Sequence, residues 1–192
     1  VTWPPTFSDV PVLETPRLRM RRFRMSDVGT VFNLVSDLSV AKWTARIPHP
    51  YERKMAEEWL RDNERLRDQG RSLLFAVTVR GDDSLIGAVS LEIEDDPGHA
   101  EIGYYLGRDY WGCGYMTEAA RAALDFGFEA LGVDVVRANV FEANEASAGV
   151  LRKLGFVDLG PSTMDAPARG GIVPVLAYSI DRAVWASLKG EA

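Results

Sequence analysis

The stretch Gly103-Tyr104-Tyr105-Leu106-Gly107-Arg108-Asp109-Tyr110-Trp111-Gly112-Cys113-Gly114-Tyr115-Met116-Thr117-Glu118-Ala119 decides how this chain is read. An alternating segment ends, Gly112-Cys113-Gly114 follows, and a helical pattern starts at once. Glycine lets the backbone turn sharply and approach a ligand closely. A helix start presents unpaired N–H groups and the positive end of the helix dipole. Together they suit a phosphate or pyrophosphate. By itself, Gly-x-Gly before a helix is equally a tight strand–helix connection. Two common phosphate motifs fail here. No Gly-x-x-x-x-Gly-Lys-Ser/Thr loop is present. The dinucleotide fingerprint needs a further glycine where Thr117 stands, although Asp134 lies downstream where a ribose-binding acid would sit. That ranks NAD binding low.

Working outward, residues 73–79, 85–93 and 101–106 read as an antiparallel meander, with turns at 81–83 and 95–98. Residues 115–131 read as an alanine-rich helix ended by Gly132, 135–141 as a strand, and 145–154 as a helix closed by Gly155. Two last strands, from Phe156 and over 172–180, are joined by a Gly/Pro-rich loop at 160–172. Upstream, Pro4, Pro5, Pro11 and Pro16 mark an extended arm over 1–16. A strand at 17–23 precedes a helix capped by Ser26 or Asp27, with Val28, Val31, Phe32, Val35 and Leu38 at helical spacing. A loop follows at 43–50, then a charged surface helix over 52–69 ended by Gly70. The predicted class is α/β (α+β): one mixed, mostly antiparallel, twisted sheet of six or seven strands with helices on both faces.

Composition sets the bounds. At 192 residues the chain reads as one domain, 1–192. A net charge of −6 argues against a chain dedicated to nucleic acid, which usually shows a basic face. The single cysteine, Cys113, leaves no internal disulfide and no cysteine-based zinc site, and suits a reducing, cytoplasmic compartment. His49 and His99 are too few for a metal centre. No apolar run spans a membrane, and the N-terminal residues lack a secretory pattern.

A second signal lies in Asn139-Val140-Phe141-Glu142-Ala143-Asn144-Glu145-Ala146-Ser147, ending in Val150-Leu151-Arg152-Lys153-Leu154-Gly155-Phe156. Trp-Gly-x-Gly-Tyr-x-Thr-Glu-Ala, then Asn-x-x-Ser, then Leu-x-Lys-Leu-Gly-Phe resembles the GNAT family of acetyl-CoA-dependent N-acetyltransferases. The opening Leu13-Glu14-Thr15-Pro16-Arg17-Leu18 and the closing Ala177-Tyr178-Ser179-Ile180 with Trp185 resemble its RimJ/RimL branch, the ribosomal-protein N-terminal acetyltransferase type. The resemblance spans about residues 13–185.

It implies a sheet splayed between the strands near 101–107 and 135–141. Coenzyme A would lie in that splay, its pyrophosphate on the amides of Gly112, Cys113, Gly114, Met116 and Thr117. Its pantetheine arm would meet the backbone near Tyr105 and Leu106, and Asn144. Ser147 would protonate the leaving thiolate, and an N–H near Leu106 would steady the carbonyl oxygen. Asp109 departs from the Arg or Gln usual there. Trp43 and Arg46 would border the acceptor, and a homodimer is an expectation from likeness alone.

Several residues have plainer readings. Asn144 is also a good N-cap, with Ser147 at the third helical position. Glu118 suits a first helical turn. Arg152 and Lys153 suit a last one. Tyr104, Tyr105 and Tyr110 read first as packing residues with one wet end, and any one of them could instead transfer a proton. Glu101 is either a solvated strand residue or a base acting through water on the amine. At pH 7 an α-amine of pKa about 7.8 is about 10–15% neutral, whereas a lysine near 10.4 is about 0.04% neutral. A site without a strong base therefore favours an N-terminal α-amine. A small-molecule amine is the alternative within the class, and a non-catalytic acyl-CoA sensor is the rival outside it.

Overall fold

A computed structural model describes residues 9–190; the first part of the predicted arm lies outside them. The strands are β1 (Leu13–Glu14), β2 (Leu18–Arg21), β3 (Ser72–Val79), β4 (Leu85–Ile93), β5 (His99–Leu106), β6 (Val135–Phe141), β7 (Val157–Ala166) and β8 (Gly171–Asp181). The helices are α1 (Val28–Val35), α2 (Leu38–Ala41), α3 (Arg53–Asp68), α4 (Tyr115–Phe126), α5 (Glu145–Lys153) and α6 (Arg182–Gly190). The strands form one 8-stranded sheet in the order β1-β2-β3-β4-β5-β6-β8-β7. Every neighbouring pair is antiparallel except β5 and β6. The mixed sheet is as predicted, but the strand count is eight. The added strand is β1, inside the segment read as an arm, where Leu13 and Glu14 pair with Met20 and Arg19.

Strand alternation sorts the core into two layers. Phe75, Val77, Val89, Leu91 and Ile102 pack with the small residues Ala119, Ala120 and Ala123 of α4. Those alanines let the helix lie close to the sheet. On the opposite face Ala76 packs with Val28 and Val31 of α1 and with Ala56 and Leu60 of α3. Helices thus cover both faces, as the sequence predicts.

Three local readings are corrected. The helix read through Leu38 breaks at Asp37, whose carboxylate accepts the Ser39 amide at 2.8 Å and starts α2. The Asp27 side chain makes no cap bond to α1; it accepts two bonds from Arg21, at 2.8 and 3.1 Å, and the Arg24 amide at 2.7 Å. The segment 160–172 is mostly strand, and only Pro167 to Gly170 turns. Pro161 is tolerated because β7 is the sheet edge, where a missing N–H costs nothing.

Gly87 lets β4 approach β5 closely. A Cβ there would stand 2.2 Å from the Tyr105 carbonyl oxygen and 3.0 Å from Leu106 Cα. Gly87→Ala is expected to cost about 1–3 kcal/mol as an overpacked site. It should also move Tyr105 and Leu106, lowering Tm and weakening cofactor binding together in thermal unfolding with and without acetyl-CoA.

Candidate active site

The Gly112–Gly114 loop has the conformation its glycines permit. Gly112 (φ 74°) and Gly114 (φ 79°) are left-handed, which a side chain would strain. The Glu118 amide donates to the Gly114 carbonyl as α4 begins, so the amides of Tyr115, Met116 and Thr117 precede the first helical donor and have no acceptor within the helix. A Cβ on Gly112 would meet nothing within 4 Å, so the loop is open for a ligand to come close.

Glu118 faces away from that opening. Its carboxylate accepts Thr15 Oγ1 at 2.6 Å, the Arg17 amide at 2.9 Å and Arg17 Nε at 2.6 Å. Burial pushes this carboxyl up, but the bonds from Thr15 and Arg17 outweigh it and hold it below the ordinary range. Arg17 also donates to the Cys113 carbonyl at 2.9 Å and lies over the Tyr115 ring. The loop is thus braced by a residue that the sequence reading did not select. No local pattern signals it, because loop and brace are far apart in the chain. Asp109 is exposed, in the short turn Arg108–Tyr110 that precedes the loop, and does not line the cleft. The loop keeps its form despite that departure from the family pattern.

The sheet opens where the resemblance implies. β5 and β6 pair from His99↔Val135 to Glu101↔Arg137 and no further. A cleft of ≈ 470 Å³ fills the gap. Among the predicted residues, Tyr105, Leu106, Gly112, Gly114, Met116, Thr117, Asn144 and Ser147 line it, and so does Trp43. Cys113 does not: its side chain is exposed and its carbonyl is taken by Arg17. Asn144 is the N-cap of α5, accepting the Ser147 amide at 3.2 Å. That bond holds the helix start at the cleft wall. Ser147 Oγ lies 2.9 Å from the Tyr104 hydroxyl. Burial pushes the Tyr104 phenol up to about 12, so it keeps its proton at neutral pH. This pairing joins β5 to α5 and was not read from sequence, where Tyr104 looked like packing. Lys153 also lines the cleft, while Arg152 pairs with Glu145 at 3.1 Å.

Glu101 belongs to the opposite sheet face, sharing it with Gly103 and Tyr105 by alternation. It is outside the cleft lining but accepts from Asn139 Nδ2, at 3.2 Å, and Asn139 is part of that lining. Burial is the main cause that pushes the Glu101 carboxyl up. The Asn139 bond opposes it, the charges of Glu92 and Glu94 add to it, and Arg46 subtracts. Arg46 does not reach the cleft; it is exposed and pairs with Glu92 at 3.1 Å. Because Tyr104 and Tyr105 point to opposite faces yet both line the cleft, the opening reaches both sides of the sheet.

Coenzyme A fits this site on the structure's own terms. Open left-handed glycines and free helix-start amides suit its pyrophosphate. The unpaired stretch of β5 beyond Glu101 offers backbone groups to an extended, amide-bearing arm.

Known proteins agree. The family described as "Acetyltransferase (GNAT) domain" matches residues 17–157. An uncharacterized N-acetyltransferase, p20 of Bacillus licheniformis, is 30% identical over 169 residues, covering 88% of this chain and 94% of its own. Spermidine N(1)-acetyltransferase of Escherichia coli is 30% identical over 140 residues, 72% of each. The fold is shared with Mycobacterium smegmatis RimJ, solved in complex with CoA-disulfide, at a TM-score of 0.75 and 22% identity over 98% of this chain and 96% of that one. No helix among the described residues is long and apolar enough to cross a membrane. The loop, the splayed strands and the family match together make this chain a member of the GNAT family, an N-acetyltransferase that uses acetyl-CoA.

Proposed function

We propose that this chain acetylates a primary amine of near-neutral pKa, an N-terminal α-amine of a peptide or protein. The whole chain acts as one acetyltransferase domain of the cytoplasm. The observation that carries this reading is the cleft through the sheet. It has the Glu101–Asn139 pair toward one face and the Tyr104–Ser147 pair toward the other. Two proton-handling groups are thereby held apart on opposite sides of the place where acyl transfer would occur.

When bound, acetyl-CoA supplies an acyl group already activated as a thioester. The amides of Gly112, Cys113, Gly114, Met116 and Thr117 would hold its pyrophosphate, with the Lys153 cation in the same cleft. Asn144 and the backbone of Tyr105 and Leu106 would orient its pantetheine arm. Glu101 accepts the proton of the amine, through water, since it lies back from the cleft wall. Ser147, backed by the Tyr104 hydroxyl, gives a proton on the thiol side. Holding the reactants in line supplies much of the rate. A weak carboxylate base suits an amine that is already partly neutral, which favours an α-amine over a lysine. Trp43 forms part of the acceptor wall. Arg46 acts there only through Glu92, which it holds beside Glu101.

The test is thermal unfolding with acetyl-CoA, with NAD as control, followed by turnover on a tetrapeptide with a free N-terminus and on spermidine. At about 100 times Kd, acetyl-CoA should add about 2.7 kcal/mol. For this chain length that is a Tm rise of about 5–11 °C. Turnover of the peptide above spermidine supports the α-amine reading. The reverse order replaces it with a small-amine reading, and a shift without turnover of either leaves an acyl-CoA sensor.

A further inference from the structure

Arg169 sits in the short turn between β7 and β8 and reaches across to the segment after α2. Its Nη2 donates to the carbonyls of Ala41 and Ile47, and its Nε to that of Thr44 at 3.1 Å. The remaining amino group bonds the Ala168 carbonyl at 2.9 Å. The Ala168 amide meanwhile donates to the Ala45 carbonyl at 3.1 Å. One turn thus takes four carbonyls of the segment 41–47. Val40, Trp43 and Thr44, in and beside that segment, line the cleft.

The local sequence explains why a guanidinium is needed. α2 ends after four residues, so the carbonyls of Thr44, Ala45 and Ile47 have no helical donors, whereas that of Ala41 also accepts from the Thr44 amide and hydroxyl. Such groups need partners when they are shielded from water. Arg169 has no carboxylate partner within ion-pair distance among the described residues. Its charge is instead spread over main-chain oxygens, and a planar fork with five donors does this where an ammonium does not. No strand pairing joins 41–47 to the sheet. Arg46 ties the segment to Glu92 of β4, and the clamp is what ties it to the β7–β8 turn.

We infer that Arg169 is a positioning residue for the amine acceptor, welding residues 41–47 and the β7–β8 turn into one wall. This rests on the acetyltransferase reading of the cleft. The cofactor loop at 112–117 has its own brace, Arg17, so loss of the clamp loosens acceptor binding and spares acetyl-CoA.

The experiment compares wild type, Arg169→Lys and Arg169→Ala, using the preferred acceptor from the panel above. For Arg169→Lys, KM for the acceptor is expected to rise about tenfold, the pattern of lost acceptor binding, with KM for acetyl-CoA within about twofold and the acetyl-CoA Tm shift retained. Lysine keeps the charge, so failure to rescue assigns the effect to the fork. Independently of activity, tryptic cleavage after Lys42 and Arg46 should be faster in both variants. Equal rises in both KM values, or an unchanged acceptor KM, overturn the inference and make Arg169 a fold staple only. Unchanged cleavage also overturns it. Wild-type protein that turns over no amine overturns the acetyltransferase reading itself, a result distinct from wild-type turnover with variants that match it.

Discussion

Replacing Glu101 by Gln is expected to lower kcat by about 10²–10⁴, the usual contribution of a general base, with little change in fold. Gln keeps an oxygen for Asn139 Nδ2 but has no basic form. The pH profile identifies the mechanism. In the wild type the acidic limb of the rate should lie above the ordinary carboxylate range, because burial pushes the Glu101 carboxyl up. In the variant that limb disappears, and the titration of the amine alone remains. Stability should move the other way. An acid whose folded pKa is raised binds its proton more tightly folded than unfolded. Its contribution is fully present below the unfolded pKa and is lost as pH rises through the folded one. At pH 7 the wild type bears this cost and Glu101→Gln does not, so the variant's Tm should equal or exceed that of wild type. A fall in Tm together with the fall in kcat would count against a catalytic role.

The second large effect concerns Asp27. Arg21 and Asp27 are both buried, at 4% and 8% exposure, so neither charge has much water to fall back on. Asp27 takes both terminal nitrogens of Arg21 and the Arg24 amide, at 2.7 Å. Arg21 Nε also reaches Asp83, at 3.0 Å, in the turn between β3 and β4. Breaking such a pair from one side costs about 3–5 kcal/mol, because a buried charge loses its partner. Asp83 retains part of the compensation, so Asp27→Ala should fall at the low end, a Tm drop of about 6–12 °C. Arg21→Met with Asp27→Leu should recover much of that loss, since apolar side chains of similar size need no partner. Thermal unfolding of the single and double variants checks both statements. A double variant as unstable as Asp27→Ala would mean that the pair itself, rather than the stranded charge, stabilises this corner.

What was legible in the sequence follows from periodicity and from spacing. β3, β4, β5 and β6 carry enough alternating residues to show their period, and α4 shows its alanine face. β1 has two residues, too few for any period. α6 buries only Trp185, so no stripe marks it. β7 is almost wholly exposed, and only its start was read as a strand; from Gly160 and Pro161 onward it looked like a loop, and its edge position, invisible locally, is what permits those residues. In the site, the cofactor loop and the Asn144 cap were legible because each is contiguous. Arg17, Tyr104 and Arg169 were not, since each acts on a partner distant in the chain. Arg46 was placed on the acceptor wall, and the structure turns it to Glu92 instead.

The short parallel pairing of β5 with β6 also bears on mechanics. Three register pairs stitch strands β1 to β5 to the group β6, β8 and β7. The sheet therefore has a seam, a line of weakness between two better-knit halves. Regions held by few contacts open at lower free energy than the global unfolding. A ligand seated in the seam acts as a rivet across it. The empty protein is expected to open along this line more readily than the loaded one, although one buried core spans both halves.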